Sequence, residues 1–236
     1  MLAQCRLYVT TIAAMTKCLT PLRTIRSAHR RRQDRGFSKM SGTRQPGSHL
    51  KNEHSLALIE ASVNSPLGRI SLFAGEAGLI ACAFSDGSKD LKKKLAAHGF
   101  VFSRKSGKNS PGSKAQRHVR AAQRAVTAYF RGSLQALDRT TLAPCGTTFQ
   151  KQVWKALCAV PAGQTRSYAA IAARLGKHTA SRAAANACGA NPLPLFIPCH
   201  RIIRTGGELG GYSGGTAKKK FLLHHEAAWR RGRAVP

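Results

Sequence analysis

Between residues 193 and 215 an apolar run passes directly into a glycine-rich segment, and the junction carries a thiol, an imidazole and a guanidinium in succession. Leu193-Pro194-Leu195-Phe196-Ile197 is long enough for a buried extended segment, and Pro198-Cys199-His200-Arg201 follows it. Gly206-Gly207, Gly210-Gly211 and Gly214-Gly215 then form a flexible stretch, with Tyr212-Ser213 held between the last two pairs. A thiol beside an imidazole at such a boundary is a candidate nucleophile. Attack needs thiolate, and a free cysteine titrates near ~8.5, so a neighbouring base or positive charge must favour ionisation. His200 is adjacent and Arg201 follows. Consecutive side chains of an extended segment point to opposite faces, so Cys199 and His200 meet only through a turn or one bridging water. A buried cysteine acting as a small hydrophobe fits these five residues too, and they alone leave both readings open.

The 236 residues have room for one large or two modest domains with proper cores. The formal charge of +30, from 39 Lys plus Arg against 9 Asp plus Glu, would attract a polyanion, nucleic acid first. No stretch resembles a membrane span of about twenty apolar residues. The 7 cysteines are an odd number without paired short spacing, so neither a disulfide framework nor a CxxC-type zinc site is suggested. A reducing compartment and a reactive thiol fit.

Residues 1–39 are Arg-rich with Asp34 as their one acid. They read as a disordered basic arm, an organellar transit peptide or an extension upstream of Met40. Leu56–Ile59, Ile70–Ala74 and Leu79–Phe84 are short apolar runs separated by Asn64–Gly68 and Gly75–Gly78. They predict a meander of three strands. Asp90–His98 predicts a short helix with a lysine-rich outer face, Ser103–Lys114 an exposed basic loop, and Ala115–Phe130 a longer helix. No catalytic constellation falls in this half, whose expected role is scaffold.

In the second half Phe149, Val153, Trp154 and Leu157 are spaced for an amphipathic helix, with Thr147 or Thr148 as its cap. Ser167–Gly176 predicts another helix, capped by Ser167 and stopped by Gly176, and Thr179–Gly189 an alanine-rich third. The last two form a helix-turn-helix pattern. Its second helix carries Arg182 as its one large cation and Ala183, Ala184, Ala185 and Ala187 as small residues.

From about Thr148 to Glu226 the chain resembles the methylated-DNA–protein-cysteine methyltransferase (O6-alkylguanine-DNA alkyltransferase) family. The resemblance rests on Phe149–Trp154, Pro161–Thr165, Ser167-Tyr168, Asn191–Pro194, Ile197–Arg201, Gly211–Gly215 and Leu222–Glu226, in that order. Ser65–Gly68 and Tyr129-Phe130 extend it into the family's smaller N-terminal domain, while residues 1–50 lie outside it. Ala184-Ala185 depart from the family's usual valine and glycine.

The resemblance implies an α+β, two-domain fold. A small antiparallel sheet with helices spans 51–145, a mainly α domain with the helix-turn-helix spans 146–229, and residues 230–236 form a basic tail. It implies irreversible transfer of an alkyl group from O6 of guanine in double-stranded DNA to Cys199, once per molecule, after nucleotide flipping. O4-alkylthymine is a possible second substrate. Carried over residue by residue, His200 takes the thiol proton, Glu226 orients His200, and Tyr168 donates to the departing base. Ser213 and the Tyr212 region cover O6. Arg182 fills the vacated stack, with Ala183, Ala185 and Asn186 against the DNA, and Asn191 holds the turns of the motif. Read blandly, Tyr168 caps a core, Asn191 is a turn residue and Glu226 a helix-end charge. No cofactor, metal or membrane is expected. A monomer is expected, in a bacterial cytoplasm or a eukaryotic nucleus. A catalytically silent DNA-binding relative, which would lack the acceptor thiol, and a thiol hydrolase using Cys199 and His200 are the competing readings.

Overall fold

The structure, a computed structural model, describes residues 57–103 and 112–232. The basic arm, most of the 103–114 loop and residues 233–236 of the tail lie outside the described residues. Strands β1 (Ala57–Ser65), β2 (Gly68–Gly75) and β3 (Gly78–Phe84) form the expected antiparallel meander. The first turn is tightened by Ser65, whose Oγ accepts from Leu67 N and donates to the Gly68 carbonyl. Burial alternates along β1, whereas β2 from Ile70 and nearly all of β3 are buried on both faces.

Helix α1 (Ser88–Ala97) follows, and then β4 (Val101–Ser103), which pairs in parallel with β1. The sheet is therefore mixed, in the order β3-β2-β1-β4, rather than purely antiparallel. A strand of three residues is too short to leave an alternation signal, so sequence pattern does not reveal it. Helix α2 (Lys114–Phe130) starts at Ser113, whose side chain accepts from Gln116 N, and lays Val119, Ala122, Val126 and Tyr129 on the sheet.

Helix α3 (Thr148–Cys158) opens with a capping box: Thr147 Oγ1 accepts from Gln150 N at 3.2 Å and Gln150 Oε1 accepts from Thr147 N at 2.8 Å. Two otherwise unmatched donors are thereby satisfied. Strand β5 (Arg166–Ser167) leads into α4 (Tyr168–Arg174), which Ser167 caps, and α5 (Ser181–Gly189) completes the helix pair. Trp154 is fully buried and donates its indole N–H to the Ala187 carbonyl at 2.8 Å, fastening α3 to α5. Strand β6 (Ile202–Ile203) pairs with β5, and α6 (Thr216–Arg230) ends the described chain. Sequence pattern marks no helix over α6, because Lys218-Lys219-Lys220 and His224-His225 interrupt its apolar spacing.

The outer edge of β3 positions the segment before the motif. Leu79 exchanges hydrogen bonds with the chain at Thr141 and Ala143, and Cys82 N donates to the Pro192 carbonyl at 2.9 Å. Cys82 Sγ donates to the Pro194 carbonyl at 3.0 Å. An edge strand left open would invite pairing with another chain, and here loops close it. One apolar core joins Ile70, Leu72 and Phe84 of the sheet to Val153, Trp154, Phe196, Ile197 and Leu222.

Thr147→Ala removes one half of the capping box and is expected to lower unfolding stability by about 1 kcal/mol in urea titration, with Thr147→Ser recovering most of it.

Candidate functional site

Cys199, His200 and Arg201 form a single turn of 3-10 helix, all three buried, so the backbone at the motif turns instead of staying extended. Asn191 holds the approach to that turn. Its Oδ1 accepts from Leu193 N at 2.9 Å, and its Nδ2 donates to the Ile197 carbonyl at 2.8 Å and to Cys199 Sγ at 3.2 Å. Between these anchors Leu195 sits at φ 87, a region that bulky residues avoid. Its side chain is 1% exposed, so core packing offsets a strain of about 1–3 kcal/mol.

Glu226 lies mid-helix on the inner face of α6 with no exposed surface, not at a helix end. It accepts from Tyr129 Oη at 2.9 Å, from Gly163 N at 2.8 Å and from the Arg201 guanidinium at 2.8 Å. His200 Nε2 stands 2.9 Å from Glu226 Oε1. A carboxylate there selects the tautomer with Nε2 protonated, leaving Nδ1 as the acceptor. Nδ1 is buried and has no protein partner. Gly163 reaches Glu226 from φ +72, and a Cβ on it would come within 3.2 Å of the Glu226 carbonyl. Only glycine takes that conformation readily.

These contacts set the charges. Burial would raise the Glu226 carboxyl, but the hydrogen bond from His200 and the hydrogen bonds and charge of Arg201 hold it well below the usual carboxylate range. Burial lowers His200 below its ordinary value, against the opposing pull of Glu226, so the ring is neutral near pH 7. Burial raises the Cys199 thiol, opposed by the Asn191 hydrogen bond and by Lys219. The resting sulfur is thus a protonated thiol beside a neutral base. Arg201, which sequence order offered as the thiol's positive neighbour, instead serves Glu226 and donates to the Val160 carbonyl at 2.7 Å.

The charge that acts on the thiol is that of Lys219, whose own pKa is lowered by burial and held up by Cys199 and Cys188. It is fully buried on α6 and donates to the carbonyls of Ile202 at 2.5 Å, of Gly211 at 3.4 Å and of Leu209. One ammonium thereby ties the glycine-rich loop to the strand that follows the motif turn. Sequence reasoning missed it because Lys218-Lys219-Lys220 reads as a solvated run. The signal was helical spacing: Lys219, Leu222 and Glu226 fall at i, i+3 and i+7 of one face. Tyr129 and Gly163 were missed as partners of Glu226 because they lie far from it in sequence.

Tyr168 stands at the start of α4, half-buried. Burial raises its hydroxyl above the ordinary value, helped by Cys188 and Cys199 and opposed by Arg204, so it stays protonated. Tyr212 stacks edge-on with His200 at 6.3 Å, while Ser213 is exposed on the loop. The loop lies close on the sheet, since a Cβ at Gly214 would meet the Phe84 ring at 2.7 Å. The residues from α5 form a separate surface group. Arg182, Ala183 and Asn186 are exposed and Ala185 is half-buried, whereas Ala184 is in the core. Among the described residues no group of three or more His, Cys, Asp or Glu could hold a metal ion, and no helix is long and apolar enough to cross a membrane.

A buried thiol, a neutral imidazole oriented by a carboxylate, and a tyrosine donor form an arrangement suited to a single displacement at sulfur. Known proteins agree with that chemistry. The family model described as 6-O-methylguanine DNA methyltransferase, DNA binding domain, matches residues 148–228. A methylated-DNA–protein-cysteine methyltransferase of Methanosarcina barkeri is 41% identical over 164 residues, covering 70% of this chain and 94% of that protein. A namesake from Salmonella typhimurium is 48% identical over 98 residues, 42% of this chain and 57% of its own length. Among solved structures, a Mycobacterium tuberculosis O6-methylguanine methyltransferase is similar at TM-score 0.58 and 30% identity, covering 76% of this chain and 95% of that one. A Mycobacterium tuberculosis OGT in complex with DNA is similar at TM-score 0.55 and 31% identity, covering 72% and 94%. The chain belongs to the methylated-DNA–protein-cysteine methyltransferase family.

Proposed function

We propose that this protein repairs DNA by direct reversal, taking the alkyl group from O6 of guanine in duplex DNA onto Cys199 and keeping it. The observation that carries the residue assignment is the oriented imidazole. His200 Nε2 is held by Glu226 at 2.9 Å while its buried Nδ1 has no protein partner. A base fixed on one side and open on the other is what a protonated thiol next to it requires.

O6 in a duplex is stacked and paired, and Cys199 is 6% exposed, so the nucleotide must leave the helix to reach the sulfur. Arg182, exposed on α5, fills the vacated stack, and the small residues Ala183 and Ala185 let the helix approach a groove closely, with Asn186 beside them. Phosphate contacts supply affinity without sequence preference, as a repair protein needs.

In the pocket the thiol proton passes through one water to His200 Nδ1, and Asn191 and Lys219 stabilise the thiolate. Sulfur attacks the alkyl carbon in line. A C–S bond forms, the bond from that carbon to O6 breaks, and the electron pair leaves with the guanine. Tyr168 donates a proton to the base, and Ser213 with the Tyr212 segment covers O6. Donors placed where charge develops stabilise the transition state more than the ground state. The product thioether has no good leaving path, so each molecule acts once, as a monomer whose site is complete within one chain.

Incubation with an oligonucleotide carrying O6-methylguanine is expected to add one methyl group per protein by intact mass. Cys199→Ser should abolish that gain while DNA binding survives; a gain that persists, or continued product formation beyond one equivalent, overturns the assignment and favours a thiol hydrolase. Because His200 is held below its ordinary value, the single-turnover rate should stay level as pH falls toward ~6.5 and decline only in more acid solution, where the imidazole protonates. Acid should also destabilise the fold. Glu226 is depressed in the folded state, so its contribution is present above the unfolded value of ~4.3 and fades as pH falls below it. Lys219→Met removes the ammonium while keeping a long side chain. It should slow transfer at neutral pH by about tenfold, or about 1.4 kcal/mol, and lower the melting temperature as three carbonyls lose their donor.

A further inference from the structure

Helix α2 has two faces, and the catalytic site uses only one. Its inner face holds Val119, Ala122, Val126 and Tyr129 against the sheet, with Tyr129 reaching Glu226. Arg117, Arg120, Arg124 and Arg131 are all exposed and, at about 100° per residue, fall within a sector of about 60° on the opposite face. The helix KAQRHVRAAQRAVTAYF contains no acidic residue. Among the described residues, none of these arginines pairs with a carboxylate.

Spacings of three and four residues place like charges side by side on a helix, where they repel. Nothing described within the chain offsets that repulsion, which an external polyanion would. Arg117 is partly engaged, donating to the Gly112 carbonyl at 2.8 Å. Of the acids around the helix, Glu76 accepts from Ala115 N at its start, Glu226 accepts from Tyr129 on the inner face, and Asp138 precedes Arg139 in the sequence. Beside the stripe runs an open groove of about 510 Å³, where Arg124 and Arg131 supply guanidinium groups and Ser133 a hydroxyl, while Gln123 Nε2 donates to the Ser62 carbonyl and Thr127 Oγ1 to the Gln123 carbonyl. The groove continues to Arg139. Such donors suit phosphate oxygens, and guanidinium binds phosphate in a two-pronged fork. At 1.5 Å per residue the stripe from Arg117 to Arg131 runs about 21 Å, enough to follow several successive phosphates of one strand.

From this arrangement we infer that the outer face of α2 is a second phosphate-binding surface, which takes the backbone of a DNA segment other than the one held by α4 and α5. The inference rests on the reading that α4 and α5 hold the lesion-bearing duplex. The two surfaces are built separately, since α2 packs on β1, β2, β3 and the turn at Ala136–Arg139, while α5 packs on α3 and α4. A lipid surface fits less well, because the apolar face that a membrane-seeking helix inserts is already buried in the core.

The test uses the full-length protein and a variant carrying Arg120→Gln, Arg124→Gln, Arg131→Gln and Arg139→Gln. One readout is methyl transfer from a short lesion-bearing duplex; the other is capture of a labelled, lesion-free duplex by protein already loaded on an immobilised lesion duplex. Transfer should proceed at the wild-type rate in the variant, whereas capture should fall about tenfold. Its log–log salt slope should drop by about 3.6, or about 0.9 for each of the four lost phosphate contacts. The corresponding four Arg→Lys changes should keep most of the capture. Unchanged capture in the glutamine variant, or equal loss in the lysine variant, overturns the proposal. So does dependence on these arginines for binding polyglutamate or phosphatidylserine vesicles but not duplex. Failure of transfer in the wild type would instead count against the repair function.

Discussion

A carboxylate with no exposed surface persists in a folded protein only where donors replace the water it has lost, and Glu226 is such a group. Its four donors come from three separate places in the chain: Tyr129 on α2, Gly163 before β5, and His200 and Arg201 in the motif turn. Each contact stabilises the anion, and together they fix the relative positions of two helices, a loop and the turn. The electrostatics follow from this arrangement. With Glu226 kept ionised, Arg201 finds its counter-charge in the interior, and His200 keeps a single tautomer without becoming a cation. Removing any one partner leaves the others buried without full compensation, so the cluster forms as a unit.

The Cys199 thiol is positioned separately, through the edge of the sheet. The chain at Pro192 and Pro194 closes the edge of β3, and the Asn191 amide ties the same segment to Ile197 and to the sulfur. The strained backbone at Leu195 is tolerated because hydrogen bonds on either side and a fully packed side chain determine its path. The first half of the chain contributes no group to the chemistry of proton transfer apart from Tyr129. Its sheet edge nevertheless decides where the thiol lies.

Much of this was legible in the sequence, for physical reasons that can be named. The meander was readable because its apolar runs are bounded by Ser65-Pro66-Leu67-Gly68 and Gly75–Gly78, whose turn chemistry is local. The start of α3 was readable because a threonine cap and a glutamine three residues on are local as well. The motif at Cys199 announced a nucleophile, but its neighbours did not announce their charges. Arg201 follows the thiol in sequence yet belongs to Glu226, and Lys219 is buried against backbone carbonyls yet looks like one of three surface lysines. Strand β4 was hidden by its length and α6 by the cations that interrupt its apolar spacing. Where pairing is local the pattern speaks; where one side chain must choose among distant partners, only the packed chain decides.

Helix α6 has a consequence for the order in which the protein matures. It brings both the ammonium whose charge acts on the Cys199 thiol and the acid behind the imidazole, and it is the last element of the described chain. Until this helix has docked, Cys199 stands without either. A folding intermediate without this helix carries an ordinary cysteine at position 199, so the packing of α6 and the character of the thiol are acquired together.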